Sequence, residues 1–285
     1  MTEGFADRVA VAVSATGPLC AGIDPSTELL RHWDLEDTPQ GLRRFGLTCV
    51  EAFAGVVPVV KPQVAFFERM GSAGMAVLEE VLAACRQSGL LAIADAKRGD
   101  IGSTMEAYAS AWLDPASPLV ADAMTALAYL GLGALRPAFD LAAASGRGVV
   151  VVVRSSNPEG RALQEARTAG AVPAARGPAV EDMLLADIAA LNRGGLPTAG
   201  TVGAVIGATR SPSEFDLAGL GGIILAPGVG FQGGTAAGAA RLFAGCATGT
   251  VLPSVSRSLL VAGPDPVALR EAAAKECATL GSALT

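Results

Sequence analysis

In LAIADAKRGDIGST, residues 91–104, a run of apolar and small residues ends in Asp95, Lys97, Arg98 and Asp100. Asp95 and Lys97 stand two apart, so on a β-strand their side chains leave from the same face. Asp100 follows Gly99, where the chain can turn. A second lysine, Lys61, lies near the end of the preceding apolar run, GVVPVVKPQ. If the two runs are neighbouring parallel strands, Lys61, Asp95, Lys97 and Asp100 make an alternating array of cations and carboxylates. Carboxylates flanking an ammonium group favour its protonated form, and such a set titrates as a coupled unit. An isolated D-x-K at a strand end reads as a surface ion pair of little energetic weight. With Lys61 beside it, the cluster reads instead as a place where ionisable groups do chemistry.

A second constellation suits an anion. In LAPGVGFQGGTAAGAARLF, residues 225–243, a strand runs into a loop with glycine at 228, 230, 233 and 234, and then into a helix. Glycine lets backbone N–H groups approach a ligand closely, and a helix N-terminus favours negative charge. The phosphate-loop pattern G-x-x-x-x-G-K-[ST] is absent. Arg257, after the next apolar run, can add a forked, charge-assisted pair to the same anion. A plain flexible turn is the alternative for the glycines alone. The remaining candidates are weaker. Asp24 either binds sugar hydroxyls or caps the next helix. Ser156 with Asn157 either reads a polar ring edge or makes a local turn. His32 has a structural or surface role, Trp33 and Trp112 pack, and Arg98 is solvated or sits at a subunit contact.

These residues need a scaffold that gathers strand ends. Apolar runs recur at 18–26, 55–63, 90–97, 117–125, 148–158, 201–210, 221–230 and 250–258, each ending in polar or Gly/Pro residues. Seven of the eight end on a candidate group: Asp24, Lys61, Asp95 with Lys97, Ser155 with Ser156, Thr209 with Arg210, the glycine loop, and Arg257. Between most runs lie segments of helical period, such as 75–86 and 182–192. Alternating strands and helices predict a parallel sheet, and eight of them predict a single-domain (β/α)8 barrel, whose usual size is about 250 residues. A doubly wound open sheet is the alternative, but no G-x-G-x-x-G follows the first strand. In a barrel the site lies at the carboxyl ends of the strands, with phosphate held after strands seven and eight. The stretch 157–180 is predicted to be an excursion after strand five, and the tail from Glu276 to fray.

Bulk properties bound the partners. The chain has 285 residues, 51% hydrophobic and 17% charged, with a formal net charge of −6 and no basic run. That argues against nucleic-acid binding driven by phosphate contacts. The five cysteines are odd in number and scattered, which predicts reduced core thiols rather than disulfides. With one histidine in the chain, a zinc site is not expected. No signal peptide is read at the N-terminus, and no apolar run approaches the roughly 18 residues of a membrane span. The expectation is a soluble cytoplasmic protein.

At these residues the sequence resembles the orotidine 5′-phosphate decarboxylase family, in its longer bacterial branch. The matching pieces, in order from residue 21 to 260, are AGIDPS, VVKPQVAFFE, IADAKRGDIGST, VVVVVRSSNP, GAVIGAT, LAPGVGFQGG and VSRSLL. The D-A-K-R-G-D-I-G-S-T piece is a specific signature, and P-G-V-G-x-Q-G-G nearly so. The resemblance implies decarboxylation of orotidine 5′-phosphate to UMP, with no cofactor and no metal. Asp24 and Lys61 would contact the ribose, and Asp95 would face the substrate carboxylate. Lys97 would stabilise charge developing at C6 of the pyrimidine and then protonate that carbon. Asp100 and Thr104 would reach into a neighbouring subunit's site, implying a homodimer. Ser156 would read the pyrimidine edge and Gln232 would bridge base and phosphate, with Gly233, Gly234 and Arg257 at the phosphate. Two departures stand out: Leu127-Ala128-Tyr129 where Asn-Pro-Tyr is expected, and Phe231 where the phosphate loop usually has a small residue. The alternative enzyme is a sugar-phosphate decarboxylase or aldolase that shares D-x-K-x-x-D but holds Mg²⁺, which a lysine at position 61 disfavours. A non-catalytic nucleotide-binding barrel would be expected to break the charged array, and here the array is complete.

Overall fold

Along Leu91–Arg98 the side chains alternate between two environments. Ala92, Ala94 and Ala96 pack outward against helices, while Ile93 joins an apolar cluster inside a barrel. The same period of two governs its neighbours, because a strand sends successive side chains to opposite faces. The computed structural model describes residues 3–169, 176–212, 214–230 and 233–284.

The barrel strands are β1 (Cys20–Ile23), β2 (Val59–Pro62), β3 (Leu91–Arg98), β4 (Ala123–Leu127) and β5 (Gly148–Arg154). After an excursion containing β6 (Arg167–Ala169) and β7 (Arg176–Ala179), they continue as β8 (Val202–Ile206), β9 (Ile224–Pro227) and β10 (Val251–Val255). The eight close in the order β1-β10-β9-β8-β5-β4-β3-β2, and each paired edge is parallel. The (β/α)8 architecture expected from the eight runs is therefore the one observed. Inside it lies an apolar layer that includes Cys20, Val59, Ile93, Ala123, Val150, Val205, Leu225 and Leu252. Two residues further along β2, β3 and β4, the same inward face carries Lys61, Asp95 and Thr125. The polar site thus rests on an apolar floor.

That floor is sealed from the other end by the helix Phe5–Thr16. Phe5, Val9 and Val13, spaced by four, join the interior cluster. Arg8 ties the helix down, with Nη1 2.6 Å from Asp122 Oδ1 and Nη2 donating to the Gly146 carbonyl at 2.9 Å. Gly148 opens β5 directly beneath the Phe5 ring, where a Cβ would stand 2.3 Å from a ring carbon.

Two expectations need correction, one in the run 117–125 and one at the tail. In the run 117–125 the strand begins only at Ala123 and continues to Leu127. Ser117 and Val120 are in turns instead, their N–H groups donating to Asp114 and Ser117 carbonyls at 2.9 and 3.2 Å. The excursion holds a short helix, Arg161–Gln164, and the antiparallel pair β6/β7, while its residues 170–175 lie outside the described residues. The tail does not fray at Glu276. One helix runs Pro266–Leu284, docked through Leu269, Ala273, Cys277 and Leu280.

The minor assignments resolve locally. Trp33 stacks on Phe45 at 4.0 Å and donates to the Leu260 carbonyl, and Trp112 is buried. His32 is exposed, 2.9 Å from the Val261 carbonyl. Arg98 is not simply solvated. It pairs with Glu68, donates to the Ala96 carbonyl at 2.7 Å and lies over the Tyr108 and Trp112 rings. All five cysteines are free, and burial pushes the Cys20 and Cys85 thiols up to about 12. Among the described residues no helix is long and apolar enough to cross a membrane, and no group of three His, Cys, Asp or Glu side chains is placed to hold a metal.

Candidate active site

The carboxyl ends of the barrel strands enclose a pocket of about 500 Å³, within the usual range for small-molecule sites. At one side Asp95 is surrounded by donors. Its Oδ2 accepts from Lys61 Nζ and Gln63 Nε2, each at 2.9 Å. Its Oδ1 accepts from Lys97 Nζ at 2.6 Å and from Thr125 Oγ1 at 2.9 Å. Lys61 and Asp95 are nearly inaccessible, their side chains 10% and 8% exposed, whereas Lys97 is 45% exposed and faces the pocket. The spacing argument for Lys61, Asp95 and Lys97 therefore describes the observed array.

Burial alone opposes ionisation of both members of the inner pair. For Asp95 the ammonium groups of Lys61 and Lys97 overcome it and hold the carboxyl well below the usual carboxylate range. For Lys61 the carboxylates of Asp95 and Asp24 overcome it and push the ammonium group upward. Because the folded value of Asp95 is depressed, its ionised form stabilises the fold above an ordinary carboxylate pKa of about 4. That stabilisation is lost as pH falls through the carboxylate range. Urea unfolding at a series of pH values from 6 to 3 checks this: Asp95→Asn should lose stability less steeply than the wild type, and equal slopes would contradict it.

Lys97 owes its direction to strained backbone. Its φ is +48°, a left-handed conformation that non-glycine residues seldom adopt and that clusters at functional sites.

At the end of β1, beside the strand that carries Lys61, Asp24 presents two different oxygens. Oδ2 accepts from Ser256 Oγ, while Oδ1 is buried and has no hydrogen-bond partner among the described residues. The helix-cap alternative for Asp24 falls, since Ser26 caps the helix Thr27–His32 by accepting from the Leu29 N–H at 3.2 Å. Ser155, Ser156 and Asn157 line the wall at the end of β5. Ser155 is latched to the excursion: its N–H donates to Gln164 Oε1 at 3.1 Å and its Oγ accepts from Gln164 Nε2 at 2.8 Å.

The far wall contains Gly228, Val229 and Arg257. Gly228, Gly230 and Gly233 have φ of +101°, +79° and +87°, so the loop needs glycine at these positions. The loop is pinned on itself: Gly234 N–H donates to Gly228 O, and Gly230 N–H to Gly234 O. Gly233 and Gly234 shape this turn without lining the pocket, and a Cβ on Gly234 would stand 2.5 Å from the Gly228 carbonyl. Gln232 and Phe231 lie outside the described residues. The helix after the loop, Ala236–Leu242, is only seven residues long, and Thr235 Oγ1 already caps it by accepting from the Gly238 N–H. Its N-terminus is thus a weaker anion site than the sequence implied, and Arg257 is the cation on this wall.

Asp100 and Thr104 are not brought to this pocket. Asp100 Oδ1 accepts from the adjacent Ile101 N–H at 2.8 Å, and Thr104 is exposed on the helix Gly102–Leu113. Leu127 and Tyr129 also lie outside its walls, 42% and 80% exposed. Two neighbours of Asp95 escaped the sequence reading. Gln63 carried a signal, since it lies two residues beyond Lys61 and so shares its face. Thr125 closes the one run, 117–125, credited with no candidate group.

Comparison with known proteins bears on all of this. Residues 17–273 match the family model described as orotidine 5′-phosphate decarboxylase / HUMPS family. An orotidine 5′-phosphate decarboxylase of Salinispora arenicola is 52% identical over 283 residues, covering 99% of both chains. That of Corynebacterium efficiens is 49% identical over 280 residues, covering 98% of this chain and 97% of its own. A crystal structure from Streptomyces avermitilis superposes with a TM-score of 0.90 at 47% identity, covering 100% of this chain and 97% of that one. The OMP decarboxylase of Leishmania donovani gives a TM-score of 0.75 at 26% identity, covering 100% and 99%.

Proposed function

The chain belongs to the orotidine 5′-phosphate decarboxylase / HUMPS family, and from that premise we propose how its pocket works. It decarboxylates orotidine 5′-phosphate to UMP. In our reading the phosphate sits at Arg257 and the glycine loop, with Gln232 bridging base and phosphate. The ribose lies against Asp24 and Lys61, and a ribose hydroxyl supplies the donor that Asp24 Oδ1 lacks. Ser156 reads the pyrimidine edge. The C6 carboxylate then faces Asp95, and Lys97 stands over C6.

Loss of CO2 from a pyrimidine C6 leaves an electron pair with little resonance relief. A fixed ammonium group in a dry site stabilises that charge as it develops. Lys97 then gives a proton to C6, leaving UMP and a neutral amine that regains its proton from solvent. Lys97 is the exposed member of the array, while Lys61 and Asp95 are the buried members that aim it. Gripping a remote phosphate supplies binding energy for orienting the reacting carbon. The observation that carries this reading is one carboxylate, Asp95, held between two lysines in a pocket whose opposite wall carries an arginine.

Two wider statements belong to the same reading. The active unit is a homodimer in which Asp100 and Thr104 complete the partner's array. Supporting it, Ile101, Leu127 and Leu130 are 63%, 42% and 55% exposed at or just past the ends of β3 and β4, and the Leu127 carbonyl lies against Gly99, next to Asp100 in the chain. The enzyme works in the cytoplasm, in keeping with its free cysteines.

The absorbance change on loss of orotidine 5′-phosphate, measured with and without EDTA, tests the metal-independent chemistry. Equal rates are expected. Turnover abolished by EDTA and restored by Mg²⁺ would favour the metal-dependent sugar-phosphate branch of the fold instead.

A further inference from the structure

We propose that Thr125 is a positioning residue for the decarboxylation, through one hydroxyl that fixes both Asp95 and Lys97. The proposal rests on the roles given above to those two residues. Its basis is an irregularity between β3 and β4. Ala94 pairs with Met124 and Arg98 with Ala126, so the single residue Thr125 faces the three residues 95–97 of β3. Bulges of this kind re-aim side chains beside active sites. The bulge also withdraws the Lys97 N–H from the regular ladder, and Lys97 takes its left-handed φ of +48° there. A backbone N–H in such a place needs an acceptor, and Thr125 Oγ1 supplies it at 2.9 Å.

The polarity of the hydroxyl follows from that contact. An N–H can only donate, so Oγ1 accepts from Lys97, and the hydroxyl proton is left to point at Asp95 Oδ1, 2.9 Å away. One atom therefore sets the backbone of the proposed acid and one oxygen of the carboxylate between the lysines. Lys97 Nζ contacts that same oxygen, so the three groups share a single node. Thr125 is 1% exposed and lies outside the pocket walls, so it touches no substrate. Its branched Cβ restricts χ1 on a strand, which makes the hydroxyl a fixed post.

Steady-state assays on orotidine 5′-phosphate with Thr125→Val, Thr125→Ser and Lys97→Ala, and UMP as the binding probe, test the proposal. Thr125→Val keeps the shape and deletes the hydroxyl. It is expected to lower kcat by about 10- to 100-fold, the range that small misplacements of reacting groups produce, with KM and UMP affinity within about twofold. Thr125→Ser should return most of the turnover, which a purely structural role would not require. If Thr125→Val does not fold, Thr125→Cys takes its place, with a poor hydrogen-bonding group of similar size and the same expected split. Wild-type kcat in a folded Val or Cys variant would overturn the proposal while leaving Lys97 untouched. Turnover by Lys97→Ala would instead overturn the parent reading.

Discussion

A Lys97→Ala chain should lose turnover by at least about 10⁴-fold while still binding UMP. Two separate contributions disappear with the side chain. A positioned general acid is worth about 10²- to 10⁴-fold, and removing a preorganised group that meets developing charge costs about 10²- to 10³-fold more. Binding should survive, because the phosphate, ribose and base contacts proposed for Arg257, Asp24 and Ser156 lie on other strands. The fold should survive as well. The Lys97 side chain is 45% exposed, and Asp95 keeps Lys61, Gln63 and Thr125 as donors. Rapid quench or absorbance assays on orotidine 5′-phosphate, with UMP titration and a melting curve on the same sample, check each part. Substantial decarboxylation by this variant would remove Lys97 from its role as acid.

The second large effect is a gain. Asp100→Ala and Lys97→Ala chains should each be inactive alone and recover activity when mixed. Asp100 and Thr104 do not line their own chain's pocket, so in the proposed dimer each array borrows Asp100 from its partner. A mixed dimer then holds one site with both mutations and one with neither. Random pairing places half the chains in mixed dimers with one intact site each, so about a quarter of the wild-type activity per chain is expected. Subunit exchange must be shown independently, for instance by mass spectrometry of differently tagged chains. No recovery despite exchange would mean that Asp100 acts, if at all, within its own subunit.

Different parts of this molecule were legible in the sequence for different physical reasons. Asp95 and Lys97 were legible as a pair because their types and close spacing at a strand end are local, although the bulge and the left-handed φ that aim Lys97 were not. Lys61 needed one further assumption, that consecutive strands are neighbours, which a barrel satisfies. The same arithmetic would have found Gln63 from Lys61. Thr125 was hidden because a threonine at a strand end is ordinary, and its importance comes from a bulge on another strand that no spacing within 117–125 encodes. Asp24 stayed ambiguous until Ser26 was seen to cap the helix that Asp24 might have capped. The glycines from 228 to 234 marked a tight loop, but neither the positive φ of Gly228, Gly230 and Gly233 nor the way Gly234 closes the turn onto Gly228 is written in their spacing. The hairpin β6/β7 escaped because its short strands are mostly exposed and carry no apolar alternation, and the docking of residues 276–284 because Cys277 rests against Gly17 and Val56, far away in sequence.

The helix Phe5–Thr16 has a consequence for the order in which the protein assembles. It precedes every barrel strand in sequence, yet nearly everything it rests on comes much later. Arg8 waits for Asp122 and Gly146, and Phe5, Val9 and Val13 join an interior layer that includes Leu225 and Leu252. Contacts this distant in sequence carry a loop-closure cost before they give anything back. On the ribosome the helix therefore emerges with an apolar stripe and no receptor, and its docking site is complete only when β10 closes the ring. The helix can therefore seat fully only once the last barrel strand is in place, although it precedes every strand in sequence.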